Sequence, residues 1–219
     1  MILPLHENDA QETNLAAHMQ EHLQELTRIK SEIIRGNLDG VRQPATWLVQ
    51  HEPSPEASIL YVPFILSMRG HASEILEADD ILTAAADLGG IATDCANCHI
   101  ASEVDVTFGA YDEPSSWADM NSHMQRHQWA IDRLWEGLIG PSDALWSLGA
   151  RMLAEAPLHG TEATWDYAAA GGDELARRVH ELGRQAATAR LPHARATLFG
   201  ELLGACADCH VRTGGGPTP

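Results

Sequence analysis

Apolar positions along this chain recur every three or four residues and almost never alternate, the period of helices that each bury one stripe. The first such stretch spans about 10–35, with Leu15, Met19, Leu26, Ile29 and Ile33 on one stripe and Gly36 closing it. A second covers about 38–51. A third runs to about Ala78, with Ser54 and Pro55 as a cap and first-turn proline, and with Pro63 either kinking it or marking its true start. The fourth follows an acidic cap at Asp79–Asp80 and ends in a cysteine-rich turn. The pattern then repeats over about 116–139, 142–155, 163–188 and 193–211, after a linker at Tyr111–Ser116, and Gly171–Gly172 weakens the third of these helices. Four helices with short connections imply an up-down bundle. The expected fold is therefore all-α, two tandem four-helix bundles, over residues 1–109 and 110–219.

The residues themselves repeat. "LGGIATDCANCHI" (Leu88–Ile100) aligns with "FGELLGACADCHV" (Phe199–Val211) at an offset of 111, and "HMQEHLQELTRI" (His18–Ile29) aligns with "HMQRHQWAIDRL" (His123–Leu134) at 105. A repeat near 105 residues is too long for a solenoid and suits a small domain, so the pattern reads as an internal duplication with about six residues gained in the second copy.

Composition narrows the partners. The formal charge is −17, carried unevenly: 17 acids against 5 bases over residues 1–105, and 14 against 9 over 106–219. Phosphate recognition needs a basic surface, so nucleic acid is not an expected partner. A basic protein could be steered in by the acidic face. No apolar run approaches the roughly 18 residues that a transmembrane helix needs, and the opening "MILPLHENDA" lacks the basic and apolar regions of a signal peptide.

All four cysteines lie in two copies of one word, Cys95-Ala-Asn-Cys98-His99 and Cys206-Ala-Asp-Cys209-His210. Two thiols one helical turn apart can add across the vinyl groups of a haem, and the adjacent histidine can then bind its iron. A redox dithiol is expected at a helix start beside a βαβ unit, and a zinc site would need one metal shared by both copies. Two words imply two haems.

The pattern resembles class II c-type cytochromes, the cytochrome c′ and cytochrome c-556 family, duplicated in tandem. The resemblance rests on a first helix bearing Met and His, the segment "IKSEIIRGNLDGV" (Ile29–Val41), and a last helix ending in the cysteine word. It implies that Cys95, Cys98, Cys206 and Cys209 form thioethers to two covalent haem c groups and that His99 and His210 are proximal iron ligands. It also implies that the sixth iron ligand comes from the first helix. On helical phase, His22 and His127 fall on the apolar stripe and are the first choice; Met19 and Met124 are the second, and His18 and His123 the third. His51, His71, His159, His180 and His193 read as surface or haem-edge residues, and Trp47, Trp129, Trp135 and Trp146 as packing beside the porphyrins or in the cores.

Six-coordinate haems predict an electron carrier between redox partners rather than an enzyme. An open iron predicts instead a binder of nitric oxide or carbon monoxide, and a histidine paired with an arginine beside an open iron predicts a peroxidase-type enzyme. No arginine recurs at a repeated position near the histidine pairs; Arg126 stands only in the second copy. Covalent haem is attached after export, so the expected location is periplasmic or otherwise outside the cytoplasm.

Overall fold

The computed structural model describes residues 7–53, 59–109, 112–114, 120–155, 171–214 and 216, with side chains from 15 onward. Among these residues there is no strand. The helices are α1 (Glu7–Arg35), α2 (Arg42–Gln50), α3 (Val62–Glu77), α4 (Ile81–Ala101), α5 (Met120–Ile139), α6 (Asp143–Ala154), α7 (Gly172–Thr188) and α8 (Pro192–Thr213). None is long and apolar enough to cross a membrane.

Local chemistry sets the helix ends. Gly36 leaves α1 at φ +72°, where a side chain is disfavoured; its N–H bonds Ile33 O, and the Asn37 N–H bonds Glu32 O, which satisfies the last carbonyls of the helix. Asp80 caps α4 by accepting from the Thr83 N–H at 2.8 Å, and Ser142 caps α6 through the Leu145 N–H. Pro63 and Pro192 sit in first turns, where no donor is needed. Pro63 thus marks the start of α3 and does not kink it. The cap expected at Ser54–Pro55, the stretch 163–170 and half of the linker Tyr111–Ser116 lie outside the described residues.

Burial recurs along the chain at fixed spacings. In α1, Leu26, Ile29, Ile33 and Ile34 are buried; 105 positions on, so are Ile131, Leu134, Leu138 and Ile139 of α5. At a spacing of 111, Met68, Ala72 and Ile75 of α3 answer Val179, Gly183 and Ala186 of α7, and Ala85, Leu88, Ile91 and Ala92 of α4 answer Ala196, Phe199, Leu202 and Leu203 of α8.

The two cysteine-bearing helices pack directly on each other. A Cβ on Gly89 would lie 2.6 Å from Ala196 O, and one on Gly200 would lie 3.0 Å from Ala85 O. The contact is reciprocal, because 85 and 196, like 89 and 200, are 111 positions apart. Small side chains at both places let the backbones approach.

Around this pair the packing crosses between the halves. α1 lies against α8 more extensively than against α4, and α5 lies against α4 more than against α8. Buried apolar side chains from both halves join in one continuous core. Two of its polar inclusions are partnered as follows. The buried Lys30 of α1 reaches Asp132 of α5 at 2.5 Å and lies 5.9 Å from the Trp135 ring. Trp146, fully buried on α6, donates its Nε1–H to Ala186 O on α7 at 2.9 Å.

Candidate metal-ligating histidine clusters

Each cysteine word closes the last turns of a long helix, and the four thiols of the two words form no disulfide. Burial pushes the Cys95 and Cys206 thiols up to about 12, and raises Cys98 and Cys209 as well. They are protonated at neutral pH.

The histidine of each word is held by the opposite half of the chain. His99 Nδ1–H donates to Ile139 O, the last residue of α5, at 2.8 Å; His210 Nδ1–H donates to Ile34 O, in the last turn of α1, at 2.8 Å. An imidazole anchored at Nδ1 by a carbonyl presents Nε2 as its lone-pair nitrogen, in a fixed tautomer and direction.

The first helices carry the second element of the site. In α1, His18 and His22 stand one turn apart; in α5, His123 and His127 do the same. Each pair is completed by a third histidine from elsewhere: His51, the residue that caps the C-terminus of α2, and His180 of α7. Within each trio the ligand nitrogens all lie within 4.8 Å of one another. His51 Nε2 and His18 Nδ1 share a hydrogen bond at 3.2 Å, and Trp47 stacks on His51 at 3.8 Å between centroids. In the second trio, His127 meets His123 at 4.2 Å and His180 at 5.1 Å between centroids.

Desolvation dominates the protonation of these rings. Burial, helped by the neighbouring His18 and His51, lowers His22 to about 3. Burial lowers His123 to about 4 and holds His127 well below the usual histidine range. His210 is among the charges that depress His127, so these two imidazoles lie within electrostatic reach. The buried Nε2 atoms of His22, His127 and His180 have no hydrogen-bond partner. Burying an imidazole nitrogen with nothing to bond costs free energy that packing alone does not return. Neutral imidazoles with lone pairs directed into a shared space are what a metal ion binds.

An arginine accompanies each trio, from unrelated positions. Arg69 of α3 donates to His51 O and contributes to the depression of His22. Arg126 of α5 bonds Glu155 at 2.8 Å and lies 3.8 Å from Glu113.

The histidines expected from the first helices therefore come together in pairs, while Met19 is 36 % exposed and Met124 is half-buried. His51 and His180, read from sequence as surface or haem-edge residues, are instead members of the trios. They escaped notice because they come from non-corresponding places, and because position 69, which stands 111 before 180, is an arginine. The available signal was phase: His180 adjoins Val179 and precedes Leu182, Gly183 and Ala186 on the buried stripe of α7. His71 pairs with Asp87 at 2.9 Å and, with His193, lines a groove of about 460 Å³ between α4 and α8, away from the trios. His159 lies outside the described residues.

No known family model, curated protein or solved structure matches the chain.

Proposed function

We propose that the chain is a dihaem c-type cytochrome, a tandem duplication of a class II four-helix unit, that carries electrons between redox partners outside the cytoplasm. The observation that carries this reading is the pair of matched hydrogen bonds from His99 to Ile139 O and from His210 to Ile34 O. They turn the histidine of each cysteine word into an oriented Nε2 donor beside two unbridged thiols. The residues fit a covalent haem in a second respect: His22 and His127 bring buried, unpartnered Nε2 atoms from the first helices, where a sixth ligand is needed.

When bound, each haem would supply a one-electron iron couple whose potential follows its axial ligands and burial. The chain's own residues do the rest. Cys95, Cys98, Cys206 and Cys209 anchor the two groups; His99 and His210 hold the proximal side with their Nδ1 protons fixed on backbone carbonyls; His22 and His127 provide the sixth donors. Met19 is too exposed to be preferred. The direct packing of α4 on α8 through Ala85, Gly89, Ala196 and Gly200 keeps both anchoring helices in one rigid pair. The acidic surface, −12 over residues 1–105 against −5 over 106–219, favours a basic partner at the first half.

A second reading rests on the arginines. Arg69 and Arg126 beside the histidine trios suit a peroxidase-type or gas-binding site in which the iron keeps an open position.

Visible and electron paramagnetic resonance spectra of the haem-loaded protein separate the two. Six-coordinate low-spin iron in both halves, with His22→Ala and His127→Ala each converting one haem to high spin, is the expected result. High-spin iron in the unsubstituted protein would establish the second reading, and spectra untouched by both substitutions would remove His22 and His127 as ligands.

A further inference from the structure

We infer that His123, His127 and His180 form a tris-imidazole site for a divalent transition-metal ion of the Zn²⁺, Co²⁺ or Cu²⁺ class, formed by the polypeptide itself when no iron engages His127. The inference goes beyond the haem reading and shares only His127 with it.

Three observations carry it. The first is spacing: His123 and His127 are four positions apart on α5, so both rings project from one face of the helix, the arrangement by which paired helical histidines chelate zinc. The second is preparation of the third ligand. His180 Nδ1–H donates to Leu153 O on α6 at 2.6 Å, and its Nε2 is buried without a partner. A ligating histidine typically has its other nitrogen tied to a carbonyl in this way. The third is reach. The ligand nitrogens lie within 4.8 Å of one another, against about 3.4 Å between ligands 2.0–2.1 Å from a tetrahedral zinc ion, a gap that small ring rotations close. Side chains supply three ligands and leave a fourth position for water, the composition of an open rather than a closed zinc site. All three donors are imidazoles, which suits borderline ions and not Ca²⁺ or Mg²⁺.

Burial rather than charge favours the second trio, since the first has a carboxylate at hand: Glu21 lies 3.5 Å from His51 Nε2, but His18 and His51 are only half-buried, whereas His123 and His180 are buried. Arg126, which acts on His123 and His127, is balanced by Glu155 at 2.8 Å and Glu113 at 3.8 Å. The first trio is more open to solvent, and Arg69 occupies the place that corresponds to His180. The second trio is therefore the tighter site.

The test uses the full-length chain made without haem, its four cysteines replaced by serine so that thiols cannot bind the probe. Co²⁺ is titrated and the visible ligand-field bands of nitrogen-ligated cobalt are recorded, with helix content followed by circular dichroism. One equivalent should bind first, with His180→Ala and His123→Ala each weakening it by at least about tenfold, while His18→Ala and His51→Ala leave that first equivalent unchanged. If the metal-free chain proves poorly helical, the same equivalent of Zn²⁺ should raise its helix content, and His180→Ala should abolish the rise. Absence of both binding and helix gain, or binding indifferent to His180→Ala and His123→Ala, overturns the site. None of these outcomes depends on whether exported chain carries haem, and loss of the first Co²⁺ equivalent in haem-loaded protein is the expected sign that iron holds His127; retention there would overturn the shared use of that ligand.

Discussion

His210 donates its Nδ1–H to the carbonyl of Ile34, 2.8 Å away and 176 residues earlier in the chain. The histidine of the second cysteine word is thus oriented by the end of the first helix, and His99 by the end of α5. Neither half positions its own cysteine-word histidine, so the geometry of one half depends on the fold of the other.

That dependence can be probed at Gly36, which ends α1 two residues after Ile34. A Cβ there would sit 2.3 Å from Val211 Cγ2, on a backbone with φ +72°. Gly36→Ala should destabilise the protein by about 1–3 kcal/mol, read as a lower midpoint in urea unfolding. An unchanged midpoint would mean that α1 does not close on α8 as described.

The α4–α8 contact makes a paired prediction. Gly89→Ala drives a methyl into the Ala196 carbonyl, a backbone atom that cannot turn aside, and should cost about 1–3 kcal/mol. Gly204→Ala, on the same pair of helices, meets only Leu82 Cδ2, the tip of an exposed side chain. It should stay within about 0.5 kcal/mol of the parent. Equal effects from the two substitutions would contradict the close backbone approach.

Lys30 and Asp132 test the bridge between the halves. Lys30 is buried and Asp132 is about one-third exposed. Removing the acid strands a buried cation, whereas replacing the lysine with a long apolar side chain leaves an acid that water and Gln128 can still solvate. Asp132→Ala should therefore lower the unfolding free energy more than Lys30→Met, by about 1–3 kcal/mol. The reverse order in denaturant melts would show that Lys30 is hydrated.

Trp146→Phe keeps an aromatic ring but deletes the fused pyrrole ring and with it the donor to Ala186 O in the middle of the second half. Ala186 O keeps the Ala189 N–H at 3.1 Å, so the loss is one buried hydrogen bond together with the space the indole filled, about 1–3 kcal/mol, and the midpoint should fall accordingly. A neutral result would mean that the indole N–H bond to Ala186 O and the packing around it contribute nothing to stability.

Much of this architecture is written locally and was legible. Gly36 and Asp80 mark helix ends because each acts on its own backbone or the next turn, while Pro63 was legible only as a kink or a start. The histidines of α1 and α5 were legible because a polar residue recurs on an apolar stripe at the same phase in two places. What the sequence does not encode in any short window is the choice of partner. The stripe on α1 demands burial, and nothing in its period says that α8 rather than α4 takes the larger share. Ala85 with Gly89 and Ala196 with Gly200 were the one available clue to close packing of the cysteine helices, since a small residue four positions from another flattens a helix face. His51 and His180 stayed hidden for a related reason. Each reaches its trio through tertiary packing, His51 across 33 residues to His18 and His180 from α7, across α6 from the pair on α5.

The central claim, two haems stitched to one chain by two cysteine words, is tested most directly by the intact mass of the protein recovered after export from a cell that attaches haem. The account predicts a mass equal to the polypeptide plus two haem groups, falling by one when Cys95 and Cys98 are both replaced by serine and by one when Cys206 and Cys209 are. A mass equal to the bare polypeptide would contradict it.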